Sequence, residues 1–324
     1  MKKTVSIIVL IIFLFLCFEI LTESKSIMNS VNFSLTIWKN NIFPSLFPFF
    51  VLSQIMIKYG VPEFIGILLK PFMNKLFKIN SKAAFIFIGS IISGNPSNAK
   101  YTKELYLNGD LNKYEATKTL MFTCFANPLF ILGTVSIMFL NSKLVGPLIL
   151  FCHYIGNIIV GIIIRNYYPS KKEKNKLNLK QAINTMHKKR ISNKENFGTI
   201  FTNSLTNSIN TLFLILGVMT VCLIFTTIID NNINLNSIIQ SLLNGSIEMT
   251  QGLKYISLED LPLKIKTVLS VMILSFGGFS IHLQIISILS DTDIKYFPFL
   301  CARIIHAAVS SILTFILFDF WINI

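Results

Sequence analysis

The sequence predicts an all-α polytopic membrane protein, an inverted-repeat bundle of the transporter type with two re-entrant or broken-helix hairpins. Three observations carry this expectation. Of 324 residues, 52% are hydrophobic and only 14% charged, with mean hydropathy +0.63, a balance that suits a bilayer and not a soluble core. The net charge of +14 is concentrated in a few loops, as where basic loops hold orientation at the cytoplasmic face; nucleic-acid binding explains that distribution poorly. Finally, the apolar run 83–92 is far shorter than the roughly 20 residues of a spanning helix, and it breaks at Ser93-Gly94-Asn95-Pro96-Ser97-Asn98.

Lys2 and Lys3 precede an apolar run over 5–18 with no small-x-small cleavage site behind it, so an uncleaved first helix entering from inside is expected. Residues 1–41 form this anchor helix and an outer loop. The next run, 42–57, contains Pro44 and Pro48; the loop after it carries Lys58, Lys70, Lys75, Lys78 and Lys82 against Glu63 alone, which places it inside. Residues 42–164 make a first repeat, with a hairpin near 83–109. Glycine and proline end its first arm, and Asn and Ser then offer starting chemistry for a second. Two spans follow, 120–140 with a kink at Asn127-Pro128, and 144–164. The linker 165–207 is basic and cytoplasmic: over 165–194 it holds ten Lys/Arg and one acid, Glu173. Parity supports the hairpin, because a full crossing at 83–98 would leave that linker outside.

Residues 208–324 make the second repeat. A span over 209–229 precedes an outer loop, 230–264, holding Asp230, Glu248, Glu259 and Asp260. Residues 268–289 are apolar but broken by Gly277-Gly278, so a second hairpin is expected near 265–289, entering from the opposite face; the alternative is that its 22 residues span outright. A last span, 297–318, carries Arg303 and His306. Opposed broken segments in matching positions of two halves are a known plan for solute carriers.

Polar groups at mid-membrane are costly and mark solute paths. The first tip, Gly94, Asn95, Pro96, Ser97 and Asn98, presents helix-start amides suited to an anion, with Lys100 beside it. Gly277, Gly278, Ser280, His282 and Gln284 form the opposing tip. Asn127 unwinds a neighbouring helix. Arg303 and His306, three apart, share a face, and a substrate anion is the natural counter-ion of that arginine. His153 is read as structural. The five cysteines lie in apolar segments without a Cys-x-x-Cys pair, and no zinc, Walker or dinucleotide pattern occurs. No cofactor, no metal and no enzymatic activity are expected.

The segments FIGSIISGNPSNAKYTKELYLNGDLNKYEA, NPLFILGTVSIMF, GSIEMTQGLKYIS and LSFGGFSIHLQ resemble the sporulation integral membrane proteins of the YlbJ (SpoVV) type, grouped with Gate or nucleoside-recognition domain proteins. The resemblance covers about 42–318. Where the family motif reads Gly-Tyr-Pro-x-Gly-Ala-Lys, this chain has Asn95 for the tyrosine and Asn98 for the second glycine. The resemblance implies transport of dipicolinate, a small aromatic dicarboxylate, from the mother cell across the outer forespore membrane. The partners expected are the small organic anion and the lipid bilayer, with no nucleic acid; a homo-oligomer or other sporulation membrane proteins stay open, since the sequence does not specify them. The alternatives are a non-transporting scaffold for spore envelope maturation and a nucleoside-type carrier.

Overall fold

Every regular element among the described residues is helical, and six helices are long and apolar enough to cross a membrane. The computed structural model describes residues 3–170 and 179–322. Lys2 and residues 171–178 of the basic linker, which carry part of the orientation argument, lie outside the described residues. Helix α1 (Lys3–Thr22) is apolar all round and largely exposed, as a lipid-facing helix is. Helices α2 (Ser24–Ile37) and α3 (Phe43–Lys58) join through a π-helical turn, Trp38–Ile42, into one rod of 35 residues.

After the short helix α4 (Val61–Phe72), α5 (Ala83–Ser93) and α6 (Ser97–Leu107) lie antiparallel. Tyr101 Oη donates to Ser93 Oγ at 3.2 Å near the tip. Lys82 pairs with Asp110 at the mouth, where Lys189 also approaches Glu63 at 3.7 Å. That lysine belongs to α9 (Leu179–Ser192), which packs on α4. Helix α7 (Lys113–Phe122) then unwinds over residues 123–127 and resumes as the π-helical segment Phe130–Phe139. It continues in the same direction, since α8 (Val145–Ile163) runs back along its whole length: Lys118 Nζ reaches Arg165 O, Asn157 Nδ2 reaches Cys124 O, and Ala126 N reaches His153 Nε2.

The second half repeats this order. Helix α10 (Phe197–Asn232) is antiparallel to the α2–α3 rod, with Ser30 and Thr227 hydroxyls 2.5 Å apart, Gln54 Nε2 3.1 Å from Ser208 Oγ and Lys58 2.7 Å from Glu195. Such polar contacts bind helices in an apolar medium, where hydrophobic burial gives no driving force. Helices α11 (Ser237–Ile247) and α12 (Met249–Leu258) then fold back on each other. Ser237 and Ser241 both donate to the Glu259 carboxylate at 2.8 Å at the mouth. Nearer the tip Gly252 lies so close that a Cβ there would stand 2.1 Å from Gly245 Cα.

Here the structure corrects the sequence reading in two ways. The stretch 265–289 is no hairpin: α13 (Leu263–Phe276) and α14 (Gly278–Ile288) continue through the Gly277 break as one crossing. Helix α15 (Tyr296–Ile322) lies antiparallel beside both, with Lys264 2.5 Å from Asp319 at one end and His282 2.9 Å from Tyr296 at the other. Glycine at positive φ, +91° and +64° for Gly277 and Gly278, interrupts the hydrogen-bond ladder without reversing the chain. The segment that does reverse is α11–α12, which the sequence places in an outer loop. Each half thus runs long helix, hairpin, broken helix, long helix, and the first long helices of the two halves are antiparallel.

Candidate functional site

Both hairpin tips rest on a helix break. At Gly94 (φ +81°) a Cβ would meet the Asn127 backbone nitrogen at 2.5 Å, and Asn127 Nδ2 donates to Ser93 O at 2.9 Å. At Gly278 a Cβ would meet Met249 N at 3.0 Å and the carbonyl oxygens of Gly245 and Ile247 at 3.1 and 3.3 Å. Only glycine allows so close an approach. The two tips and two breaks converge on one cavity of about 50 Å³, whose polar lining includes Asn41, Asn95, Asn127, Glu248, Ser280 and Gln284. That volume accepts a few waters and no aromatic ring.

Among apolar neighbours such as Ile42, Phe130, Ile215 and Met249, the polar groups of the lining are amide, hydroxyl and carboxylate, with no lysine or arginine. Asn127 caps the resumed helix, Oδ1 accepting from Leu129 N at 2.8 Å and Phe130 N at 3.2 Å. Asn95 Oδ1 accepts from Cys124 Sγ at 2.9 Å, and its Nδ2 has no hydrogen-bond partner among the described residues. Glu248 stands between α11 and α12. Its Oε2 accepts from Thr250 N at 2.8 Å, from Gln251 N at 3.0 Å and from the Thr250 hydroxyl, and so caps α12.

The other candidates lie elsewhere. Pro96 and Ser97 build the first tip, and Ser97 Oγ donates to Gly94 O. Asn98 is fully buried with neither side-chain atom hydrogen-bonded among the described residues. Lys100 points away from the centre: its Nζ lies 3.3 Å from Asn207 O, 3.2 Å from Thr211 Oγ1 and 4.6 Å from the centre of the Phe50 ring. His282 is held between Tyr296 Oη (2.9 Å) and Phe276 O (3.1 Å).

Arg303 and His306 do not line the cavity, and Arg303 already has its acceptors. Its guanidinium, fully buried, donates to Met121 O, to Cys124 O at 3.1 Å, to Asn157 Oδ1 at 2.9 Å and to His306 Nδ1 at 2.8 Å. The Met121 and Cys124 carbonyls are ones that the unwinding after α7 leaves without helical partners. Since His306 Nδ1 accepts, its proton sits on Nε2, which donates to His153 O at 2.7 Å. His153 Nε2 accepts from Ala126 N, so its Nδ1 donates to Ser275 Oγ at 2.9 Å. One buried network therefore holds the first break and ties it to the last turn before the second.

Sequence reasoning missed Glu248, Asn41 and Thr250. The signal lay in Asn-Gly-Ser-Ile-Glu-Met-Thr-Gln-Gly, where two glycines flank a carboxylate and a Thr that it caps. Two further clefts border the second arms of the hairpins. One, of about 340 Å³, is bordered by Lys58, Glu104, Glu195 and Asn207. The other, of about 310 Å³, is bordered by Asp230, Gln251, Lys254 and Tyr255.

Comparison with known proteins follows this architecture. Residues 41–143, from the π-turn to the end of the first broken helix, match the family described as Gate, nucleoside recognition. The chain is 30% identical to the sporulation integral membrane protein YlbJ of Bacillus subtilis (strain 168) over 344 aligned residues, covering 98% of this chain and 84% of that protein. No solved structure matches it.

Proposed function

The chain belongs to the family of sporulation integral membrane proteins typified by YlbJ, and from that premise we propose that it is a carrier moving a small organic solute by alternating access. The observation that carries the proposal is the meeting of two hairpin tips and two helix breaks around one cavity that holds Asn95, Asn127, Glu248, Ser280 and Gln284 among apolar side chains. Irregular backbone at membrane depth survives only inside protein or beside water, and here it gathers in one place with a cleft toward each end. Rocking one half against the other would open one cleft while closing the other. On this reading both hairpins are re-entrant, the halves are inverted repeats, and the chain performs no covalent chemistry.

The proposed solute is dipicolinate, leaving the mother cell through the outer forespore membrane, with the basic linker on the cytoplasmic side. The N–H groups of Asn95 and Gln284 suit carboxylate oxygens. Arg303 would act at a distance, by keeping the first break in place. A nucleoside-type solute is the second reading, and a lining of amides and hydroxyls with no lysine or arginine favours it.

Uptake of labelled dipicolinate and of labelled uridine into vesicles containing the protein decides between them. Dipicolinate uptake that falls in Asn95→Ala while insertion stays normal supports the first reading, and uridine uptake alone supports the second. Transport of neither, under imposed sodium and proton gradients, would leave a scaffold role in spore envelope maturation.

A further inference from the structure

Glu248 presents a problem that the solute alone does not solve. It is 2% exposed, at the centre of the bundle, and has no salt-bridge partner among the described residues. A buried carboxylate without a counter-charge is costly, and a dianionic solute beside it would be costlier. Its Oε2 is occupied in capping α12, but the nearest donor to Oε1 is Ser280 Oγ at 3.4 Å, too long for a good hydrogen bond.

A second, independent observation lies on the facing helix. Gln284 follows Ser280 by one turn of α14, lines the same cavity and is 3% exposed, and its Oε1 is buried with no hydrogen-bond partner among the described residues. An orphaned amide oxygen in such a place calls for a donor or a cation. Beside them ends α11, whose Gly245 and Ile247 carbonyls face Gly278. The last carbonyls of a helix lack intrahelical donors and form the negative end of its dipole. Carboxylate, hydroxyl and amide oxygen thus line one cavity, with no cationic side chain among its lining, and the helix-end carbonyls stand behind them against Gly278.

We propose that Glu248, Ser280 and Gln284, with the carbonyl end of α11, bind a monovalent cation, sodium by its hardness and size. One carboxylate among neutral oxygens suits a single charge, whereas divalent sites recruit several carboxylates or keep a water shell. The bound ion neutralises Glu248 and holds the second hairpin tip to the second break. In its role as coupling ion this site rests on the carrier reading; the binding itself does not.

The test uses purified full-length protein in detergent, with no solute present. Its thermal unfolding is followed in sodium chloride against choline chloride at equal ionic strength, at pH 6 and pH 8. Sodium is expected to raise the midpoint saturably by about 2–4 °C, and the rise should vanish in Gln284→Ala and in Glu248→Gln. Should Glu248→Gln fail to fold, Gln284→Ala decides. Equal midpoints in the two salts overturn the site, as does a rise that survives in both variants. A midpoint that responds to pH but not to sodium assigns Glu248 to a proton and equally overturns it. Sodium stabilisation without uptake of any solute would leave the ion site standing and remove the carrier; uptake without sodium response would do the reverse.

Discussion

Arg303 on α15 donates from Nη1 to the Cys124 carbonyl at 3.1 Å, across to the unwound stretch that follows α7. The charge on the last helix is therefore committed to backbone that has lost its helical partners. Arg303→Ala should leave the Met121 carbonyl without a donor and the Cys124 carbonyl with Asn157 Nδ2 alone in an apolar interior, costing about 1–3 kcal/mol in stability. Thermal unfolding in detergent measures this. A variant that folds normally but loses solute affinity would instead put Arg303 at the solute. Arg303→Lys should rescue little, because one ammonium cannot reproduce the planar fork.

Asn127 couples the first hairpin to the first break through Ser93 O and caps the resumed helix. Asn127→Ala is expected to cost about 1 kcal/mol from the lost cap, and Asn127→Asp less, since its oxygens still accept. Comparing the melting points of the two variants separates capping from the contact to Ser93, which only the amide nitrogen makes.

Gly252 crosses Gly245 so closely that any side chain must push the arms of the second hairpin apart. Gly252→Ala should destabilise by about 1–3 kcal/mol. Gly133→Ala, at a site with no neighbour within 4 Å of the added carbon, serves as the control and should melt like the native protein. Equal melting of all three would show that the arms are not in contact.

The two directions of the halves are testable by labelling. Asn108, at the mouth of the first hairpin, and Ser290, after α14, are exposed at one end; Asn234 and Asp260, flanking the second hairpin, are exposed at the other. Single cysteines at these positions, in a background lacking the five native ones, should react with an impermeant reagent in two pairs from opposite faces. Reaction of Asp260→Cys and Ser290→Cys from the same face would make residues 263–288 a hairpin after all.

Much of this architecture is written in the chain as length and composition. Apolar runs of spanning length, interrupted by Gly94, Asn127-Pro128 and Gly277-Gly278, determine where helices cross and where they break, because a bilayer demands internally satisfied backbone and glycine or proline withdraws it locally. Asn95, Asn127, Ser280 and Gln284 were legible as polar residues at those breaks, and the cavity gathers them. Whether a broken segment turns back or goes on is another matter. Residues 83–107 turn back and 263–288 go on, although both are apolar with a glycine at the break. The choice is made by neighbours: α15 packs along α13 and meets α14 where His282 bonds Tyr296, while α14 itself lies against α10 and α11. The second hairpin was hidden for the same reason, since 11 and 10 residues with polar faces read as loop until Gly245 and Gly252 are seen in contact. Burial of Glu248 at the centre, and of Arg303 away from it, follows from that packing. Local sequence sets which backbone can bend; the partners that satisfy it are distant in the chain, and only the folded bundle brings them together.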